Sequence, residues 1–241
     1  MTDAYGALLA GLATRPGQPV LIAGGLSHGL YAAALAPALD SGPVTYFDTD
    51  PRRLEIAAGY GARVVTDLHD TAREQFPVTV DTSADPARLA GVLRATAPGG
   101  HCHSVGIYFG DVALPLMSMY MNAVTFTIGR PDITPHAPAV LELIRCGRVD
   151  PMPVYSQTLG LDELPEALVS PYQPNPWCCG RRRRRTGHGH RDAGRRPRPL
   201  RRQGAQCPPW CSGASRIASQ TLTTDAPTLT RYRSPTFDCF S

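Results

Sequence analysis

Along the first 170 residues, short apolar runs alternate with helical stretches, and this alternation constrains the fold more than any other feature. The first run, residues 19–23, ends at Gly24-Gly25, which is typical of a buried parallel strand that enters a tight turn. Further strand-like runs lie at residues 43–48, 64–65, 78–81, 99–105 and 123–128, and helical stretches lie at residues 29–36, 52–60, 87–96 and 137–146. This order predicts an α/β domain over residues 1–170, built on a doubly wound, parallel, six-stranded sheet.

The composition changes abruptly after residue 170. Residues 1–170 hold ten Arg against seventeen Asp and Glu, for a net charge of −7, whereas residues 171–241 hold fourteen Arg against three Asp, for +11. The second part contains no Val, Met or Lys. It cannot bury enough apolar area to offset the conformational entropy that folding costs. We therefore predict a disordered, Arg/Pro-rich tail at residues 171–241.

The tail offers two functional interpretations and one trivial one. Its Arg-rich run, residues 181–202, would attract phosphate backbones through counterion release, which predicts non-specific contact with nucleic acid only. Its Cys and His spacings match no compact zinc-ligand pattern. A run rich in Arg, Pro, Gly, Cys and Trp but without Lys is also what GC-rich coding DNA yields when it is translated out of frame. We favour this frameshift interpretation over a functional basic segment.

A glycine-rich turn, GGLSHG at residues 24–29, follows the first strand. Such a turn lets backbone N–H groups at a helix N-terminus face a pyrophosphate. Gly24 supplies the tight turn and Gly29 the close contact between helix and strand. Leu26 stands where the G-x-G-x-x-G pattern has its middle glycine, and Gly25 can serve in its place.

An acidic residue stands at the end of the second strand. Asp48 follows Gly29 by 19 residues, at the position where a carboxylate accepts hydrogen bonds from an adenosine ribose. The same carboxylate repels a 2′-phosphate, so the pattern favours NAD over NADP. Arg52 and Arg53 leave NADP open as the lesser alternative.

Several segments, taken in order, resemble zinc-containing alcohol dehydrogenases of the medium-chain dehydrogenase/reductase superfamily. They are VLIAGG at 20–25, GLYAA at 29–33, FDTDPRRL at 47–54, APGG at 97–100, SVG at 104–106, LELIRCGRVDP at 141–151 and LDELPEAL at 161–168. The resemblance extends from about residue 4 to residue 172 and stops where the composition changes. It implies a Rossmann dinucleotide-binding domain and hydride transfer between an alcohol and NAD.

By this resemblance, eight residues bind the NAD cofactor: Gly24, Gly25, Gly29, Asp48, Arg53, Thr82, Val105 and Gly106. The three glycines match the pyrophosphate turn, the carboxylate matches the ribose ligand, and the arginine matches the basic residue that flanks the adenosine. The threonine lies beside the adenine edge. The last two residues present their backbone to the nicotinamide carboxamide.

The resemblance also implies a partner domain. In intact family members, Cys, His and acidic side chains of a separate N-terminal domain hold the catalytic zinc. None of these ligands has a counterpart in this sequence, so we predict no catalytic and no metal-binding residue, and expect an NAD-binding domain that is inactive alone. Two alternatives stay open: a non-catalytic dinucleotide-binding remnant, and an adenosylmethionine-dependent methyltransferase built on the same kind of sheet.

The sequence also predicts the cellular location and the oligomeric state of the protein. The sequence has no apolar run of about 18 residues and no basic, then apolar N-terminal signal, which predicts a cytoplasmic protein without a membrane span. The strand at residues 123–128 comes last in the sheet and carries no Lys or Pro to block pairing. Related dehydrogenases join this edge across a two-fold axis, so we expect a homodimer through residues 123–128.

Overall fold

A computed structural model describes residues 1–71, 74–169 and 177–179 of the chain. Its main sheet contains six parallel strands: β1 (Val20–Ala23), β2 (Val44–Phe47), β3 (Arg63–Val65), β4 (Phe76–Asp81), β5 (Thr96–Ser104) and β6 (Thr125–Ile128). Their order across the sheet is β3-β2-β1-β4-β5-β6. The doubly wound parallel sheet predicted from the sequence is therefore confirmed.

Seven α-helices accompany the strands in the described part of the chain: α1 (Thr2–Leu12), α2 (Ser27–Leu35), α3 (Pro51–Gly59), α4 (Pro86–Ala95), α5 (Leu116–Met121), α6 (Ala137–Arg145) and α7 (Leu164–Val169). Two short strands, β7 (Gln157–Leu159) and β8 (Trp177–Cys179), pair in parallel as a separate sheet. Apart from β8, the segment predicted to be a disordered tail lies outside the described residues.

The core is built around β1, the central strand. All four of its residues are completely buried, as expected of a strand that is covered on both faces of a parallel sheet. The helix that follows, α2, is rich in alanine, and every residue from Gly29 to Leu35 is buried. Small side chains let this helix pack closely on the sheet. The position of its N-terminus is thereby fixed relative to the strand ends.

Two helices begin with the same cap. Asp50 precedes Pro51 at the start of α3, and Asp85 precedes Pro86 at the start of α4. In each case the aspartate Oδ1 accepts hydrogen bonds from two backbone N–H groups of the first turn, at 2.8–3.1 Å. Proline suits the first helical position because its missing N–H would have no partner there. These caps fix the first turns of both helices beside the carboxyl ends of the strands.

Helix α5 is an element that the sequence patterns did not predict. None of its residues is buried, and Leu116, Met117 and Tyr120 expose 65%, 74% and 81% of their surface. It immediately precedes β6, the last strand of the sheet. An exposed, apolar helix therefore directly precedes the strand that forms one edge of the sheet in the described part of the chain. Among the described residues, no helix combines the length and apolar character needed to cross a membrane.

Candidate functional site

The glycine turn lies between β1 and β4, where the strand order reverses direction. The carbonyl oxygen of Ala23, the last residue of β1, accepts hydrogen bonds from the Thr82 hydroxyl at 2.8 Å and from the Thr82 backbone N–H at 2.9 Å. A Cβ atom at Gly25 would overlap the Thr82 carbonyl oxygen, and one at Gly29 would lie 2.7 Å from the Thr82 Oγ1. Both glycines are therefore required by the close approach of the two chain segments.

Helix α2 begins directly after this turn. Leu26 is its N-cap residue, and no side chain caps the helix there. Because the first N–H groups of an α-helix have no partner within the helix, this N-terminus presents backbone donors and a partial positive charge. Leu26, which occupies the place of the middle glycine, is exposed rather than packed into the turn. The arrangement fits an anion at the start of α2.

Asp48 lies at the carboxyl end of β2, and its side chain is completely buried. Its Oδ1 accepts hydrogen bonds from the backbone N–H groups of Thr49 (2.7 Å) and Asp50 (3.1 Å), and the Tyr46 hydroxyl donates to its Oδ2 (3.1 Å). Arg53 binds both oxygens, through Nε to Oδ2 at 2.7 Å and through Nη2 to Oδ1 at 2.9 Å. The carboxylate is thus held by a bidentate ion pair and three further donors.

The donors around Asp48 decide its protonation. Burial alone would raise the pKa of Asp48, but the hydrogen bonds from Arg53 and from the backbone N–H groups of Asp50 and Thr49 lower it, and the net result is a pKa below the ordinary value. The hydrogen bond to Asp48 in turn raises the pKa of Arg53. Burial and the negative charge of Asp48 both raise the pKa of the Tyr46 hydroxyl. At neutral pH the pair is therefore fully charged, with a neutral tyrosine beside it.

A second buried carboxylate, at the end of β4, was missed by sequence reasoning. Asp81 Oδ1 accepts from the Ser83 hydroxyl (2.6 Å) and backbone N–H (3.1 Å), and Oδ2 accepts from the hydroxyls of Ser104 and Tyr108, both at 2.7 Å. Its position at a strand end, like that of Asp48, is the signal that could have found it. This carboxylate ties the segment after β5 to the end of β4.

Val105 and Gly106 lie in that tied segment. The Val105 N–H donates to the Asp81 carbonyl oxygen at 2.9 Å, and a Cβ atom at Gly106 would lie 3.0 Å from the Tyr108 ring and 3.1 Å from the Ala84 backbone. Both residues line a cleft of about 520 Å³ at the carboxyl ends of β5 and β6. His28, at the start of α2, lines the same cleft, which therefore adjoins the glycine turn.

A second cleft, of about 480 Å³, lies beside the carboxyl ends of β2 and β3. Phe47, the last residue of β2, lines it, together with Leu68 and residues of α4. The Arg88 guanidinium lies 5.4 Å from the centre of the Phe47 ring and donates to the Thr49 Oγ1 at 3.1 Å. The cleft thus has an arginine-covered aromatic ring and aliphatic side chains in its walls.

The eight predicted residues thus fall into three adjoining groups. The three glycines meet Thr82 and the end of β2, Asp48 pairs with Arg53, and Val105 and Gly106 lie at the end of the neighbouring strand β5. Thr82 directs its hydroxyl to the β1 carbonyl, so it positions the turn. Their assignment as cofactor ligands stays a prediction.

A zinc ion, implied by the family resemblance, does not fit the described residues. Among residues 1–71, 74–169 and 177–179, no group of three or more His, Cys, Asp or Glu side chains lies close enough together to hold a metal ion.

The fold and the glycine turn define the class of the domain, which is a Rossmann-like α/β domain with a crevice at the reversal of strand order. No family model matches the chain. A probable zinc-binding alcohol dehydrogenase of Mycobacterium tuberculosis is 27% identical over 139 residues, which are 54% of this chain and 36% of that protein.

Solved structures give the same likeness. An alcohol dehydrogenase from Thermus sp. ATN1 has a TM-score of 0.64 and 29% identity, over 69% of this chain and 51% of that one. A short chain alcohol dehydrogenase of E. coli CFT073 in complex with NADH has the same fold, with a TM-score of 0.61 and 18% identity, over 74% of this chain and 56% of that one. The chain thus spans about half the length of these structures. The resemblance to zinc-containing alcohol dehydrogenases, predicted from the sequence, is confirmed, and it covers part of those proteins.

Gly25→Ala should destabilise the domain by about 1–3 kcal/mol, because the added methyl group would have to push the β4 backbone away from β1. Gly59→Ala, in α3, is the matched control. A Cβ there meets no atom within 4 Å, so the substitution should raise the free energy of unfolding by about 0.5–1 kcal/mol. Urea denaturation gives both free energies of unfolding. Equal effects of the two substitutions would contradict the close approach described here.

Asp48→Asn should lower the free energy of unfolding at pH 7 by about 2–4 kcal/mol, because it leaves the Arg53 guanidinium without its buried partner. The pKa of Asp48 is depressed in the folded state, so its contribution is complete above its ordinary value of 3.8 and is lost as the pH falls through the lower folded-state pKa. The difference between variant and native protein should therefore shrink below pH 3.8. Glu55→Gln, at an exposed position of α3, is the control, and a loss that does not change with pH would contradict the assignment.

Proposed function

We propose that residues 1–170 bind a nicotinamide dinucleotide, NAD in preference to NADP, as the cofactor domain of an oxidoreductase related to zinc-type alcohol dehydrogenases. The observation that carries the proposal is the glycine turn packed against Thr82 at the reversal of strand order, with an uncapped helix N-terminus directly behind it. The likeness to alcohol dehydrogenases and to an NADH complex supports the nicotinamide form of the cofactor.

The chemistry that a nicotinamide ring held at this site would supply is hydride transfer to or from an alcohol carbon. The N–H groups at the start of α2 would hold the pyrophosphate. Asp48 would accept the ribose hydroxyls, and the cleft lined by Phe47 would take the adenine. The backbone at Val105 and Gly106, with its position set by Asp81 and Tyr108, would border the nicotinamide ring. The polypeptide would thus bind and orient the dinucleotide. None of its described side chains would transfer a proton.

Preference for NAD follows from the acidic residue at the end of β2. A carboxylate there accepts two hydroxyl groups, whereas a 2′-phosphate would bring a second negative charge to it. The completely buried Asp48 remains charged at neutral pH because of its donors, and the Arg53 guanidinium that is paired with it reduces the preference that the carboxylate alone would give. The cytoplasmic location stays a prediction.

Isothermal titration calorimetry of the purified 241-residue chain with NADH tests the proposal. We expect weak but saturable binding, weakened by about 1–3 kcal/mol in Asp48→Asn through loss of a charged hydrogen-bond partner, and unchanged in Glu55→Gln. Adenosylmethionine, titrated in parallel, should not bind. Binding of adenosylmethionine without NADH would favour the methyltransferase alternative. NADH binding without alcohol turnover is expected both of a cofactor domain that is inactive alone and of a non-catalytic remnant.

We also propose that two copies of the chain pair through β6. Among the described strands, β6 forms the edge of the main sheet beyond β5, and its Thr125 and Ile128 are exposed. The exposed apolar side chains of α5 precede this edge in the chain. An unpaired edge beside apolar surface favours pairing with another strand. A second copy related by a two-fold axis offers the same edge.

Thr125→Lys should shift the protein from dimer to monomer, because a lysine on an edge strand opposes strand pairing. Ala58→Lys, on exposed α3, adds the same charge away from the edge and should leave the dimer intact. Light scattering coupled to size exclusion gives the molar mass of each variant. A dimer that survives Thr125→Lys, or a native protein that is monomeric, would rule out this interface.

A further inference from the structure

The acceptor capacity of Asp48 is fully used within the protein. An ionised carboxylate offers about four lone-pair sites. Five hydrogen bonds already end on it, from two backbone N–H groups, the Tyr46 hydroxyl and two nitrogens of Arg53. Its side chain has no exposed surface. A ribose diol can therefore reach this carboxylate only if one of the present donors withdraws.

Arg53 is the donor that can withdraw. The backbone N–H groups of Thr49 and Asp50 are fixed by the chain, and Tyr46 is a completely buried residue of β2. Arg53 instead reaches the carboxylate with a long, flexible side chain that retains 14% exposure. Its Nη1 also lies 3.2 Å from Asp50 Oδ2, so its charge has a second carboxylate to pair with when it leaves Asp48.

We propose that Arg53 sets the cofactor selectivity of the site by covering Asp48, so that the chain prefers NAD to NADP only weakly. The inference rests on the proposed dinucleotide function. A ribose diol must displace the guanidinium before it reaches Asp48, which reduces the gain from NAD. A 2′-phosphate instead meets the guanidinium while it still neutralises Asp48, and the positive charge and planar array of N–H donors of Arg53 suit phosphate oxygens.

The neighbouring arginines do not share this position. Arg52 is exposed, and among the described contacts its backbone N–H, rather than its guanidinium, bonds to Asp50. Arg88 donates to the Thr49 hydroxyl and lies over the Phe47 ring, next to Asp48 but not bonded to it. Arg52 is therefore a matched control: it carries the same charge, on the adjacent residue of the same helix, without the contact.

The experiment compares dissociation constants for NADH and NADPH in the native full-length chain, Arg53→Gln and Arg52→Gln. Adenosine 2′,5′-bisphosphate and 5′-AMP serve as probes of the adenosine half alone. We expect the native dissociation constants for NADH and NADPH to agree within about tenfold. Arg53→Gln should move their ratio toward NADH by at least about tenfold, which is the order expected when one charge-assisted hydrogen-bonded pair replaces another. Arg52→Gln should move the ratio by less than about threefold, since an exposed charge is screened.

Arg53→Lys keeps the charge but loses the bidentate geometry, and thermal unfolding checks that each variant is folded. In Arg53→Lys, a ratio of the NADH and NADPH dissociation constants that is shifted toward NADH relative to the native chain supports the proposal. This holds even where Arg53→Gln fails to fold. Unchanged ratios in a folded Arg53→Gln, or equal shifts in Arg52→Gln, would overturn the inference while the dinucleotide function stands. Absence of binding by all four ligands to native and variant proteins would refute the dinucleotide function itself, and this inference with it.

Discussion

The contact between the ends of β1 and β4 is the constraint on which the candidate site depends. The Ala23 carbonyl accepts two hydrogen bonds from Thr82, and the following turn passes so close to β4 that Gly25 leaves no room for a Cβ atom. Because β1 is completely buried in the middle of the sheet, this contact cannot shift without disturbing the core. It fixes the start of α2 and therefore the direction of its N–H groups.

Two buried carboxylates flank this contact, and their partners differ in kind. Asp48 is neutralised by the guanidinium of Arg53, whereas Asp81 is surrounded by the hydroxyls of Ser83, Ser104 and Tyr108. The first arrangement concerns charge and bears on which ligand the β2 end attracts. The second concerns geometry, because neutral hydroxyl donors fasten the segment after β5 without adding a cation. Two aspartates at strand ends of the same sheet thus have different roles.

Local patterns predicted most of the sheet, and tertiary contacts account for what they missed. The apolar run that predicts β1 can be recognised in the sequence because its cause lies within a few residues. The start of β5 was placed too late, since Thr96 continues from α4 straight into the sheet, where its hydroxyl meets that of Thr79 at 2.8 Å. None of the residues of helix α5 is fully buried, and its sequence, LMSMYM, is apolar on most sides, so it leaves no amphipathic pattern to detect.

The site was predicted in part for the same reason. Glycine spacing and the acid at the end of β2 are sequence signals, and the structure brings these residues together at the crevice, while their role as cofactor ligands stays a prediction. The covering of Asp48 by Arg53 depends on the direction of one side chain. The network of Asp81 depends on Tyr108, which lies 27 residues further along the chain. No periodic pattern encodes either contact.

The difference between the fixed backbone of the glycine turn and the movable Arg53 side chain also affects how fast a ligand can bind. The backbone that would hold a pyrophosphate is fixed by the sheet core, while the group that must move for a ribose is a single arginine side chain. Side-chain rearrangements are generally much faster than collective motions of domains, which take microseconds to milliseconds. Capture of the adenosine half of a dinucleotide would then be governed by diffusion and by the opening of one ion pair, with no wait for a backbone transition.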